Sequence, residues 1–145
     1  MKNMKVLVRT ETDGMTTFAK AGKHELIIDE GSQLGGNDKG ANPMQTVLSA
    51  LAGCENVTAH VIAKEMECDL QDISFRITGE FNPKGFMGDP NVKPYFESIH
   101  VEATVTTSET ESRIKELQRQ VESRCPVYTL IKAAGVTLND TWKKA

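Results

Sequence analysis

The stretch Asn42–Met66, NPMQTVLSALAGCENVTAHVIAKEM, decides how the chain must be read. Asn42 is an N-cap residue and Pro43 suits the first helical position, where its missing N–H leaves no hydrogen bond unmade. From Met44 onward Val47, Leu48, Leu51, Cys54, Val57, Thr58, Val61 and Ile62 recur at three- and four-residue steps, the period of an amphipathic helix. The pattern predicts one helix from Asn42 to about Glu67, roughly 38 Å long at 1.5 Å per residue. The small residues Ala52 and Gly53 invite the close approach of another element. Cys54 falls on the apolar face, where a free cysteine packs as a small hydrophobe. The other reading, a reacting thiol, needs a second chemical group from elsewhere in the chain.

Working outward, the preceding segment reads as three strands. MKVLVRTE (Met4–Glu11) alternates in character, Asp13-Gly14 is a hairpin-turn dipeptide, and MTTFAKA and HELIIDE follow. GSQLGGNDKGANP is a glycine-rich loop, either a linker or a loop over a site. Beyond the long helix, QDISFRITGEF and FESIHVEATVTT read as strands, with Ile73, Phe75, Ile77 and Ile99, Val101, Ala103, Val105 on their inner faces. Ser108 and Glu111 have the spacing of a capping box for a helix carrying Ile114, Leu117 and Val121. A short helix runs from Pro126 to about Ala134 and stops at Gly135, and VTLNDTW closes as a strand. The order βββ-α-ββ-αα-β indicates an α+β fold, expected as a single domain over residues 1–145.

Composition narrows the function classes. With 145 residues, 39% hydrophobic and 26% charged, the chain can bury a real core. A net charge of −3 gives no reason to expect a nucleic acid or an anionic membrane as partner. The N-terminal segment lacks a signal-peptide pattern, no run reads as a membrane span, and the expected location is the cytoplasm. Cys54, Cys68 and Cys125 are too few for a disulfide scaffold, and the scattered His24, His60 and His100 suggest no metal site. No cofactor is expected.

Two cysteines remain for chemistry. Cys125 precedes Pro126 at a helix start, beside Arg124, and both features would lower a thiol pKa; a buried cap residue is the alternative. Cys68 has no partner pattern.

GANPMQTVLSALAGC, followed by RCPVYTLIKAAGVTLN some 70 residues later, resembles the OsmC/Ohr family of osmotically inducible and organic hydroperoxide resistance proteins. The resemblance covers essentially the whole chain. It implies antiparallel sheets around a long central helix in an intertwined homodimer. It also implies a thiol peroxidase in which Cys54 attacks an organic hydroperoxide and Cys125 resolves the resulting sulfenic acid as a disulfide, which a dithiol or lipoyl-type reductant then opens. Peroxidases of this family usually read Asn-Pro-Glu, the glutamate orienting an arginine; here Met44 stands at that position. Gln45 and Arg9 are the candidates for assisting Cys54. The departure keeps open a catalytically weak dimer acting as redox sensor or apolar-ligand binder, and a structural protein whose cysteines only pack.

Overall fold

The computed structural model describes residues 1–145 and has the expected α+β architecture: two three-stranded sheets and one long helix. The chain divides into two compact units, Met1–Val47 and Leu48–Ala145.

In the first unit β1 (Arg9–Asp13), β2 (Thr16–Ala21) and β3 (His24–Ile28) form an antiparallel meander. Gly14 (φ 58°) and Gly22 (φ 64°) occupy its two hairpin turns, in the left-handed region that tight turns demand. The strand expected from Met4 begins only at Arg9. Arg9 pairs with Lys20, at the end of β2, so earlier residues run past the available partner strand. Met4 and Val6 are left 93% and 88% exposed.

Loop 31–41 is tied to a single carboxylate. Asp29 is buried and accepts hydrogen bonds from Thr16 Oγ1 (2.8 Å) and from the backbone N–H groups of Glu30, Asn37 and Lys39. The Asn37 side chain donates in turn to Thr16 Oγ1. The backbone closes so tightly that a Cβ on Gly40 would lie 2.1 Å from the Ile27 carbonyl oxygen. Burial pushes the Asp29 carboxyl up, but the hydrogen bonds outweigh it and hold the group below its ordinary value. A depressed carboxyl contributes stability above its unfolded pKa and loses it as the pH falls. Asp29→Asn removes the charge these donors need, and the amides of Asn37 and Lys39 are expected to exchange with solvent deuterium markedly faster.

The long helix, α1 (Pro43–Glu65), opens on a reciprocal capping box: Gln45 N–H donates to Asn42 Oδ1 (2.8 Å) and Asn42 N–H to Gln45 Oε1 (3.0 Å). It stops before Glu67, which takes a left-handed conformation (φ 53°). By length and composition α1 is long and apolar enough to cross a membrane, contrary to expectation, a test that core helices also pass. Its inward face is only partly the one periodicity selected, Leu51 and Ile62 being shared by both. Leu51, Glu55, Ala59, Ile62 and Ala63 are buried, whereas Val47, Val57 and Val61 point outward and Val57 is 63% exposed.

In the second unit β4 (Leu70–Glu80) pairs antiparallel with β5 (Ser98–Thr107). Between them the short α2 (Pro83–Phe86) is capped by Asn82. β6 (Thr137–Lys144) pairs with β5 in parallel, the one departure from antiparallel sheets. A parallel neighbour needs a crossover connection, which α3 (Glu111–Arg124) and α4 (Pro126–Ala133) supply. The cap of α3 is Thr110, not Ser108: Thr110 Oγ1 accepts from Arg113 N–H, while Ser108 bonds Asp69. β5 buries Ile99, Val101, Ala103 and Val105 by strict alternation, and Ile114, Leu117, Val121 and Trp142 complete the core.

Candidate thiol site

Cys125 belongs to two helices at once. Its N–H closes α3 on Val121 O (2.8 Å), its carbonyl accepts the first α4 bond from Thr129 N–H (2.9 Å), and its sulfur accepts from Tyr128 N–H (3.4 Å). The residue before a proline is driven out of the helical region, and Cys125 sits at φ −71°, ψ 118°. The Cys-Pro junction thus turns the chain between helices and fixes where the sulfur points.

It points at Cys54. The Cys125 thiol donates to Cys54 Sγ across 2.9 Å, joining residues 71 positions apart. A covalent S–S bond is about 2.05 Å, so closing the pair requires a movement of about 0.9 Å. Cys125 is fully buried and Cys54 half-buried, so Cys54 is the member a solute can reach. Both are free thiols.

The electrostatics differ from the sequence expectation for Cys125. Burial and the hydrogen bond to Cys54 push its thiol up to about 12, and the N–H groups of Tyr128 and Val127 offset this only in part. Arg124 does not help, because its guanidinium makes a two-pronged ion pair with Glu65 (2.7 and 3.0 Å). Cys125 therefore keeps its proton at neutral pH and presents it to Cys54.

Gln45 and Arg9 are the expected assistants of Cys54. Gln45 Oε1 is engaged in the helix cap, and Arg9 is an exposed residue of the first unit, beside a hollow of about 270 Å³ lined also by Thr10, Glu11, Phe18 and Lys20. Met44 is half-buried in the first turn of α1. Cys68 is half-buried near Glu109 and Arg113, and burial raises its thiol above the ordinary value. No cluster of three or more His, Cys, Asp or Glu side chains could hold a metal ion.

Four further polar residues of this unit act on one another: Glu55 and Tyr128, which are buried, and Glu122 and Asp140, which are half-buried. Tyr128 OH donates to Asp140 Oδ2 (2.7 Å), and Glu55 is buried with neither oxygen hydrogen-bonded. The signal for Glu55 lay in its spacing, four residues from Leu51 and four from Ala59, a carboxylate inside an apolar stripe.

Comparison with known proteins places the fold and the family. A hydroperoxide reductase of Mycoplasma pneumoniae is 32% identical over 100 residues, spanning 67% of this chain and 66%, just under two thirds, of that one. The crystal structure of an OsmC-like protein from Mycoplasma pneumoniae superposes with a TM-score of 0.86 at 18% identity, covering 99% of both chains. An organic hydroperoxide resistance protein from Elizabethkingia anophelis superposes at 0.78 with 17% identity, over 100% of both. At such identities the two structures establish a shared fold. The family model described as OsmC-like protein matches residues 36–139, a span holding both cysteines and every element from the α1 cap into β6, and the chain belongs to the OsmC-like family.

Proposed function

We propose that this protein is a cysteine-dependent thiol peroxidase that reduces organic hydroperoxides. The observation that carries the reading is the 2.9 Å contact between Cys54 and Cys125. Cys54 thiolate attacks the outer peroxide oxygen, the O–O bond breaks, and the alkoxide leaves as an alcohol after taking one proton. The Cys54 sulfenic acid then condenses with the Cys125 thiol, forming the disulfide and releasing water. A dithiol or lipoyl-type reductant returns both thiols and is itself oxidised. The names of the Mycoplasma and Elizabethkingia relatives support this reading.

In this reading the working form is a homodimer in the cytoplasm. Val57 and Val61 on α1 are exposed apolar side chains of the second unit that a second copy would cover, and Met4 and Val6 are exposed apolar side chains of the first.

The test is turnover of cumene hydroperoxide by reduced protein with dithiothreitol. Wild type is expected to exceed the dithiol alone and, after one equivalent of peroxide, to lose two hydrogens as an intramolecular disulfide. Cys54→Ser is expected to fall to the rate of dithiol alone; wild type at that same rate overturns the enzyme reading.

A second reading is favoured by the raised Cys125 and by Met44 in the acid's place: a catalytically weak dimer that senses redox state or binds an apolar ligand. An ordinary thiol is only a few per cent ionised at neutral pH. In that case Cys54 stays reduced after mild peroxide exposure.

A further inference from the structure

Helix α4, which Cys125 caps, buries little of itself. It has eight residues, its one buried side chain is Tyr128, and Leu130 is 70% exposed. A helix this short does not hold its shape alone in water, so its place depends on what it buries. Tyr128 is also the residue whose backbone N–H meets the Cys125 sulfur in the first turn, at 3.4 Å. Its hydroxyl donates to Asp140 Oδ2 across 2.7 Å. Asp140 lies within β6 and pairs in register with Val101, a fully buried residue of β5.

A line of contacts thus runs from the sheet to the thiols: Asp140 to the Tyr128 hydroxyl, Tyr128 N–H to Cys125 Sγ, and Cys125 Sγ to Cys54 Sγ at 2.9 Å. The sulfurs need to close by only about 0.9 Å to bond, so a small drift of the first turn of α4 is large on the scale that matters. We infer that Asp140 is a positioning residue acting through Tyr128: it holds the hydroxyl, which fixes the first turn of α4 and with it Cys125 Sγ against Cys54. The inference rests on the proposed function only in taking the two thiols as a working pair.

The experiment equilibrates the reduced full chain with mixtures of reduced and oxidised glutathione and reads the products by whole-protein and peptide mass. As the Cys54–Cys125 bond forms, the two thiols lose two hydrogens and one oxidised glutathione becomes two reduced ones. The equilibrium constant is therefore the effective concentration of the pair. Tyr128→Phe is expected to lower it by about three- to ten-fold, the span of one hydrogen bond's net worth. Asp140→Ala is expected to do the same, and the double variant to fall no further than either, because both remove one contact. Asp140→Asn keeps an oxygen that accepts from the hydroxyl and is expected to stay within about two-fold of wild type. Glu55, Glu122 and His100 also act on Asp140, so the hydroxyl is removed separately.

A purely structural role would lower the urea midpoint and leave the glutathione equilibrium where it was. Wild-type constants in both Tyr128→Phe and Asp140→Ala overturn the inference. So does a loss in Asp140→Asn equal to that in Asp140→Ala, or a wild type that forms no disulfide. Should Tyr128→Phe not fold, the two Asp140 variants decide by the same criteria. No peroxide is used: wild type that forms the disulfide here but does not turn over cumene hydroperoxide ends the peroxidase reading and leaves this one standing.

Discussion

Glu55→Gln is expected to be about 4 to 5 kcal/mol more stable than the wild type at pH 9 and close to it at pH 4. The folded protein holds the Glu55 carboxyl at about 8, against an ordinary value of 4.5. Each unit of difference corresponds to about 1.36 kcal/mol. The sign follows from which state binds the proton. Between pH 4.5 and 8 the native state keeps it and the unfolded chain has lost it, so stability falls as the pH rises. The contribution is complete below pH 4.5 and gone once the pH passes 8. Glutamine has no proton to lose and is nearly the same shape, so the variant escapes the alkaline part of the decline. Urea denaturation of both proteins from pH 4 to 9 measures this directly. A pH-independent difference between them would mean that Glu55 is solvated or paired in solution.

Cys125→Ser is expected to consume about one equivalent of hydroperoxide at once and then to slow by roughly 100-fold or more. Replacing the sulfur leaves the half-buried Cys54 in place, so the first oxidation still occurs. What disappears is a thiol already in contact with the sulfenic acid. Reactions between groups held at contact gain effective concentrations of order 10⁵ M or more, which a millimolar external dithiol does not match. Stalled Cys54 then proceeds to sulfinic acid in excess peroxide. Stopped-flow consumption separates the fast and slow phases, and whole-protein mass shows one added oxygen, then two. Steady turnover equal to wild type would remove Cys125 from the mechanism while leaving Cys54 in it.

Much of this molecule was readable from its residues, because short-range rules governed the readable parts. Asn42-Pro43 opened α1, alternation picked out Ile99 to Val105, and Gly135 stopped α4. The misreadings share a cause: each turned on a partner that lies far away in the chain. Met4 to Val8 alternate like a strand but run past the end of β2. Ser108 has cap chemistry but is taken by Asp69, leaving the cap to Thr110. Helical periodicity found Leu51 and Ile62 on the inward face of α1 but set the stripe's edges wrongly, so Val57 was chosen and Glu55 overlooked. The expectation for Cys125 weighed the helix terminus and the neighbouring arginine, whereas desolvation and Cys54 dominate in the fold. The family resemblance paired the two cysteines; the proton between them required three-dimensional neighbours.

The parallel pairing of β5 with β6 sets an order of events during synthesis. A hairpin can close as soon as its two strands emerge, but β6 cannot join β5 until the whole crossover through α3 and α4 has been made. Cys54 leaves the ribosome first, on a helix whose buried Glu55 still lacks its neighbour Asp140. Cys125 follows within the crossover itself, before β6 is made. When β6 docks, the Tyr128 hydroxyl gains Asp140, on the residue whose N–H holds the Cys125 sulfur. The last strand therefore completes the support of the second thiol after both thiols are already present.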